Sequence, residues 1–364
     1  MRTIAIPLPD ARRSVIHIAP GLIDRLGEFI RGSGTSGTIA LVYDCKLEAL
    51  ARRATVSIEA TGTSPSVIPL PSGEANKTVA TLAALWEVLA EAELDRECTI
   101  VALGGGVTGD VAGFAAATYL RGVRLIQVPT TLLAQVDASV GGKTAIDLIA
   151  GKNLVGAFHQ PEGVLIDVNS LATLPPDQLR SGMAEVVKYG VIADPELLGW
   201  LELHLDQVLR RDPSSLEHVI ARSCEIKADV VGSDERESGR RAILNYGHTI
   251  GHAIETVAGY GHYTHGAAVS IGMTAAGELS GELLGFPKSS HERMVELLLR
   301  IGLPIRLEAP LPVEPLLSAM RKDKKARAGR VRFVLARTLG EMEVRPIEEP
   351  MIQEALRAIG AASP

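Results

Sequence analysis

Aromatic side chains are scarce: Phe, Trp and Tyr make up only 4% of the 364 residues. Ala, Val, Leu and Ile must therefore fill any core, and a hydrophobic content of 46% is enough for a large one. Cysteine is nearly missing. Cys45, Cys98 and Cys224 are far apart and odd in number, which excludes a disulfide framework and a CxxC metal site and suits a reducing, cytoplasmic setting. No run approaches the ~18 apolar residues of a membrane span, and the apolar start of the chain is too short for a signal-peptide core. A basic excess is lacking as well. With 37 Lys and Arg against 43 Asp and Glu, the net charge of −6 argues against a general nucleic-acid binder and leaves room for a local basic pocket. Internal repeats and low-complexity tracts are missing too. What remains is a globular chain whose length, at roughly 150 residues per domain, fits two domains.

Short apolar runs alternate with helical patterns in the first half. Residues 38–43 (TIALVY), 98–103 (CTIVAL), 124–128 (RLIQV) and 163–168 (GVLIDV) read as buried strands. Val79, Leu82, Leu85, Trp86 and Leu89 repeat at helical spacing within 78–93. This alternation predicts a parallel sheet with helices on its faces. After Leu174-Pro175-Pro176 the pattern changes to long helices over 178–191, 197–209, 214–231, 241–257, 265–284 and 291–301, with a short hairpin over 330–336 and 341–344. The pattern predicts an α/β domain, 1–174, followed by a mainly helical domain, 175–364, with a ligand site at the cleft between them; a glycine-rich turn over 104–109 makes the first a candidate nucleotide-binding domain.

Gly104, Gly106 and Gly109 satisfy GxGxxG between a strand and a helical pattern. There the missing Cβ atoms let backbone approach a pyrophosphate, and the helix N-terminus offers amide donors. The usual fingerprint also wants an acidic residue about 20 positions on for the ribose. None occurs from Val111 to Val136, so Asp44, at the end of an earlier strand, is the substitute. Further on, Gly141-Gly142-Lys143-Thr144 resembles a P-loop, but the upstream glycine that motif needs falls on Asp137. Lys143 and Lys152 beside Gly-rich backbone still suit phosphate.

Four of the nine histidines, His248, His252, His262 and His265, fall within eighteen residues. His248 and His252 sit at i and i+4 on a helix and can share a divalent metal, with a third ligand from His265, Glu255 or Glu185. Arg241 and Asn245 recur with His248 at helical spacing. Such a face resists burial against apolar core and fits a cleft for anions.

The segments GGGVTGDVAGFAAATYLRG, QVPTTLLAQVDASVGGKTAID, GKNLVGAFHQP, SGMAEVVKYG, DERESGRRAILNYGHTIGHAIE and HGAAVSIGM together resemble the 3-dehydroquinate synthase family, in its usual order, over roughly residues 40 to 330. The resemblance implies NAD- and metal-dependent cyclisation of a heptulosonate phosphate, DAHP, to 3-dehydroquinate in the shikimate route. The steps are transient oxidation, phosphate β-elimination, reduction and intramolecular aldol closure. It also implies a homodimer in the cytoplasm, with no nucleic-acid or membrane partner. A sister sugar-phosphate cyclase, of the aminodehydroquinate or 2-deoxy-scyllo-inosose type, and a glycerol dehydrogenase-like polyol dehydrogenase are the alternatives.

Carried onto this sequence, the resemblance assigns Glu185, His248 and His265 to one divalent metal, zinc or cobalt. NAD falls to Asp44, Glu74, Lys77, Gly105, Gly106, Val107, Asp110, Thr130, Thr131, Lys143 and Lys152. Lys143, Asp137, Lys188, Lys227, Arg241, Asn245 and His252 become catalytic groups. Arg121, Asn153 and Lys324 become substrate contacts, Lys324 being favoured over Lys325 for the phosphate. The family usually carries Glu after His265-Gly266. This chain has Ala267, so a contact beside the metal set is missing or replaced, a departure that leans toward the sister cyclases.

Overall fold

The computed structural model describes residues 1–8, 13–34, 37–237, 239–322 and 331–362. Along the chain the strands and helices are β1 (Arg2–Pro7), β2 (Arg13–Ala19), α1 (Leu26–Gly32), β3 (Ile39–Asp44), α2 (Glu48–Glu59), β4 (Ser66–Leu70), α3 (Val79–Glu91), β5 (Thr99–Gly104), α4 (Gly106–Thr118), β6 (Arg124–Pro129), β7 (Lys143–Leu148), β8 (Gly151–Phe158) and β9 (Gly163–Asp167). Then come α5 (Pro176–Ile192), α6 (Pro195–Leu209), α7 (Pro213–Ser233), α8 (His248–Ala258), α9 (His265–Leu284), α10 (Lys288–Ile301), α11 (Val313–Lys322), β10 (Arg332–Thr338), β11 (Glu341–Pro346) and α12 (Glu349–Ala358).

Residues 1–174 and 213–236 form one compact unit, and 175–212 and 237–364 the other. The sequence placed 213–236 in the second domain. Its helix α7 packs instead on β1 and on the turn after β6, so it groups with the sheet.

In the first unit seven strands lie in the order β1-β2-β9-β6-β5-β3-β4. Only the β1–β2 pair is antiparallel; the other pairings are parallel. All six residues of β5 (TIVALG) are buried, as an unbroken apolar run with helices on both faces requires. From β3 the chain moves outward to β4, then returns to β5 on the other side of β3 and continues to β6. The carboxyl ends of β3 and β5 thus flank the point where strand order reverses, which is where open α/β sheets bind ligands. The four strands read from sequence are β3, β5, β6 and β9. Strands β1, β2 and β4 and the β7–β8 hairpin escaped that reading.

The second unit buries Ile250, Ile254, Ile271, Leu279, Leu316, Phe333, Leu335 and Leu356 in one cluster, drawn from α8, α9, α11, α12 and the β10–β11 hairpin. Fully burying each such side chain contributes about 1.5–3 kcal/mol. Aliphatic side chains dominate, as the scarcity of aromatics demands. The single helix expected over 241–257 is corrected. Arg240–Asn245 is a 3-10 turn, Gly247 adopts φ 78°, and α8 begins only at His248. The break lets α8 lie close against α9: a Cβ on Gly247 would sit 2.6 Å from Met273 Cγ and 2.8 Å from its amide nitrogen. Arg241, Asn245 and His248 therefore do not share one helical face.

Candidate functional site

In the first unit, β5 runs through Gly104 into Gly105, and α4 starts at Gly106 with no side chain capping its N-terminus. The first amides of a 13-residue helix, Gly106 and Val107 among them, are thus not claimed by a capping side chain and suit an anionic pyrophosphate. Thr130 donates its amide to the Gly104 carbonyl at 2.9 Å, and the Thr131 side chain lies against Gly105. Asp44 closes the adjacent strand β3, where its carboxylate accepts from Ser72 Oγ at 2.8 Å and from the Lys46 amide at 3.0 Å. An acidic group at the end of the neighbouring strand is where a ribose would need one.

Lys77, 4% exposed, pairs with Asp110 on α4 and donates to Asn153 Oδ1 at 2.5 Å. Burial would push its ammonium down, but the charges of Asp110 and Glu74 and the hydrogen bond to Asp110 carry it above its ordinary value. Asn153, with φ 54°, is also tied through its amide to Asp147 at 2.7 Å. Lys152 reaches Glu74 at 3.3 Å. These contacts gather the loop after β4, helix α4 and the β7–β8 hairpin. Lys143 opens β7 on the surface. Lys227 on α7 is buried and meets Asp137 at the side-chain oxygen, 2.8 Å, and at the carbonyl, 2.5 Å. Asp137 is held out by a π-helical turn, Ala134–Ala138. Arg121 lies elsewhere. It follows the far end of α4, some 20 Å along the helix from Gly105, and lines a recess of about 520 Å³ with Arg96, Arg124 and His159.

In the second unit, Glu185 is fully buried in the middle of α5. Its Oε1 lies 3.4 Å from His248 Nε2 and 3.5 Å from His265 Nε2. Ligands about 2.1 Å from a tetrahedral ion stand roughly 3.4 Å apart, which the two distances from Glu185 match, and all three donor atoms lie within 4.8 Å of one another. His248 is fixed by its Nδ1 on the Tyr246 carbonyl at 3.1 Å, and the Glu185 side chain also pairs with buried Lys188. Burial alone would lower the His265 pKa, but hydrogen bonds to Glu185 and Glu255 and the charges of both carboxylates push it up to about 10. A pocket that favours one positive charge this strongly is suited to a dication. The His252 ring is 5.3 Å from His248 and 6.0 Å from His265. Arg241, 2% exposed, and Asn245 sit on the turn that packs against α5, and Asn245 Nδ2 donates to Glu237 at 2.8 Å.

The 3-dehydroquinate synthase N-terminal family model matches residues 67–181 and the C-terminal model residues 182–326. The chain belongs to the 3-dehydroquinate synthase family. Curated 3-dehydroquinate synthases from Nostoc punctiforme and Bordetella pertussis are 46% and 47% identical over 344 and 347 residues; these spans are 94% of this chain in both cases and 94% and 95% of theirs. A crystal structure of 2-deoxy-scyllo-inosose synthase with carbaglucose-6-phosphate, NAD+ and Co2+ superposes with a TM-score of 0.89 at 28% identity, covering 98% of this chain and 100% of that one.

Lys324 and Lys325 lie outside the described residues. Sequence reasoning passed over Ser181, whose hydroxyl accepts the Gly266 amide at 2.9 Å and clamps the start of α9 to α5. Its spacing of four from Glu185 on α5 was the available signal. Ala267 offers no polar group, and its side chain packs against the apolar cluster. The polar contact beside His265 comes from Glu255, at 3.2 Å.

Proposed function

We propose that this chain converts DAHP to 3-dehydroquinate and phosphate as a phosphate-eliminating carbon–oxygen lyase that uses NAD and one divalent metal, zinc or cobalt. The observation that carries the reading is the buried Glu185 carboxylate facing two imidazole nitrogens at 3.4 and 3.5 Å, in a chain of this family. When bound, NAD would take up and return a hydride and the dication would act as a Lewis acid, which fits a reaction with no net redox change.

The chain's own residues bind and orient. Residues 1–174 are the NAD-binding domain: Asp44 serves the ribose, the α4 N-terminus with Gly105, Gly106 and Val107 serves the pyrophosphate, and Thr130, Thr131, Glu74, Lys77, Asp110, Lys143 and Lys152 line the same unit. Residues 175–212 and 237–364 hold the metal through Glu185, His248 and His265. Arg241, fixed in its buried turn, takes the substrate carboxylate, a group that a neutral sugar phosphate lacks. Lys188, Asn245 and His252 are assigned to the substrate beside the metal set, and His252 can hold or pass a proton at a ring nitrogen. Asp137 and Lys227 orient one another from the first unit. Lys143, Asn153 and Lys324 are assigned to the substrate, with the lysines meeting phosphate; Arg121, roughly 20 Å from Gly105 past the far end of α4, is left out of this set. Among the described residues no helix is long and apolar enough to cross a membrane. We assign the chain to the cytoplasm and to a homodimer. The dimer is supported by the apolar edge that Leu148, Ile149, Leu154, Val155 and Phe158 expose on the β7–β8 hairpin.

Purified protein with DAHP, NAD and zinc or cobalt should release inorganic phosphate and 3-dehydroquinate, accumulate no NADH, and stop on chelation. Phosphate release that survives full chelation refutes the metal assignment. Faster turnover of glucose 6-phosphate points to a sister cyclase, and net NADH from a simple alcohol to a dehydrogenase.

A further inference from the structure

His265 is the first residue of α9 and the most exposed of the three metal-directed side chains, with 27% of its side chain accessible against 9% for His248 and none for Glu185. Its ring could turn about the Cβ–Cγ bond and lose the alignment of Nε2 on Glu185. His248 is prevented from doing so by the Tyr246 carbonyl, a backbone group that no substitution removes. For His265 the corresponding atom is Oε2 of Glu255, 3.2 Å from Nδ1. Glu255 is only 7% exposed and sits on α8 one turn beyond His252. Its helix is pinned in turn by the close α8–α9 approach at Gly247.

We propose that Glu255 is the positioning residue of the metal set, fixing the ring plane and tautomer of His265 so that Nδ1 carries the proton and Nε2 turns to Glu185 and His248. This rests on the assignment of Glu185, His248 and His265 as ligands. The physical reason is general: an imidazole that donates through one nitrogen presents the lone pair of the other, and removing such an outer carboxylate typically weakens metal binding roughly 10- to 100-fold. Ala267, two residues beyond His265 on α9, supplies no alternative partner, so Glu255 carries this role through its side chain. A rival arrangement exists, because His252, Glu255 and His265 are themselves close enough to hold an ion. That ion would use Nδ1 of His265 and make Glu255 a ligand.

The test uses the full-length protein as wild type, Glu185→Gln, Glu255→Gln and Glu255→Ala, with zinc affinity measured by chelator competition, cobalt absorption spectra, and nitrogen NMR of the histidine tautomers. Wild type should bind one equivalent of zinc and Glu185→Gln none; equal binding by both sinks the ligand assignment itself. With that assignment standing, both Glu255 variants should still bind one equivalent with an unchanged cobalt coordination number. Affinity should fall in the order wild type, Gln, Ala, reaching roughly 10- to 100-fold for Ala. In the zinc-bound wild type the His265 signal should show the proton on Nδ1, and in Glu255→Ala a mixture of Nε2-bound and Nδ1-bound rings should appear. Glu255→Gln keeps the volume and an acceptor oxygen, so it reports even if the Ala variant folds poorly. Unchanged affinity and tautomer in both variants overturns the proposal. So does a second equivalent in wild type that Glu255→Ala removes, or a changed cobalt coordination number.

Discussion

Gly247 ties the stability of the second unit to the metal set, and replacing it with Ala separates two physical effects. The first is backbone strain: φ is 78°, a left-handed conformation that costs an L-residue about 1–2 kcal/mol. The second is crowding, since the new Cβ would lie 2.6 Å from Met273 Cγ, 2.8 Å from the Met273 amide and 2.9 Å from the Val269 carbonyl. Two of these atoms are backbone of α9 and cannot rotate away, so relief requires α8 to shift, an overpacking cost of about 1–3 kcal/mol. Gly285 at the end of α9 is the control, because it has φ 71° but nothing within 4 Å of its Cβ position. Gly285→Ala should therefore lose about 1–2 kcal/mol and Gly247→Ala about 2–5 kcal/mol in chemical denaturation. Because His248 is the next residue, Gly247→Ala should also weaken zinc binding, while Gly285→Ala should leave it unchanged. Equal stability losses in the two variants, or undiminished zinc affinity in Gly247→Ala, would refute the claim that the α8–α9 approach sets the ligand geometry.

Two further outcomes follow from the same contacts. His248→Ala should abolish metal content, whereas His252→Ala should retain metal and lose turnover; equal metal loss in both, read by elemental analysis, would make the i, i+4 pair the ligands. Lys77→Met should strand the half-buried Asp110 carboxylate, 20% exposed, and cost at most about 3 kcal/mol while raising the KM for NAD, and Lys77→Met with Asp110→Leu should recover much of the stability but not the KM.

The parts of the fold legible in the sequence are those whose signal is local. Strand β5 shows as an unbroken apolar run because both its faces are buried, and α9 and α10 show through their periodicity. Strand β1 carries the weaker pattern of an edge: of RTIAIP only Ile6 is fully buried. The β7–β8 hairpin mixes Lys, Asp, Asn and Gly with apolar residues that mostly stay exposed, so alternation gives no inside face to read. The unbroken helix expected over 241–257 failed because periodicity survives a break. A 3-10 turn and a left-handed glycine keep apolar residues at similar intervals while rotating Arg241 and Asn245 off the face of His248.

The site divides the same way. Histidines clustered within a few turns announce themselves, but spacing treats His252 and His265 alike, and only the position of Glu185 Oε1, 3.4 and 3.5 Å from two imidazole nitrogens, separates them geometrically. Pairs far apart in sequence leave no local trace: Lys77 with Asn153 spans 76 positions and Lys227 with Asp137 spans 90. Each joins a cation on one element to a polar group on another that is itself in an unusual backbone conformation, a positive φ at Asn153 and a π-turn at Asp137. Such conformations cost free energy and persist only where surrounding contacts over-determine them. The pairings that no local pattern announces are thus ones that the α/β unit fixes by long-range polar contacts.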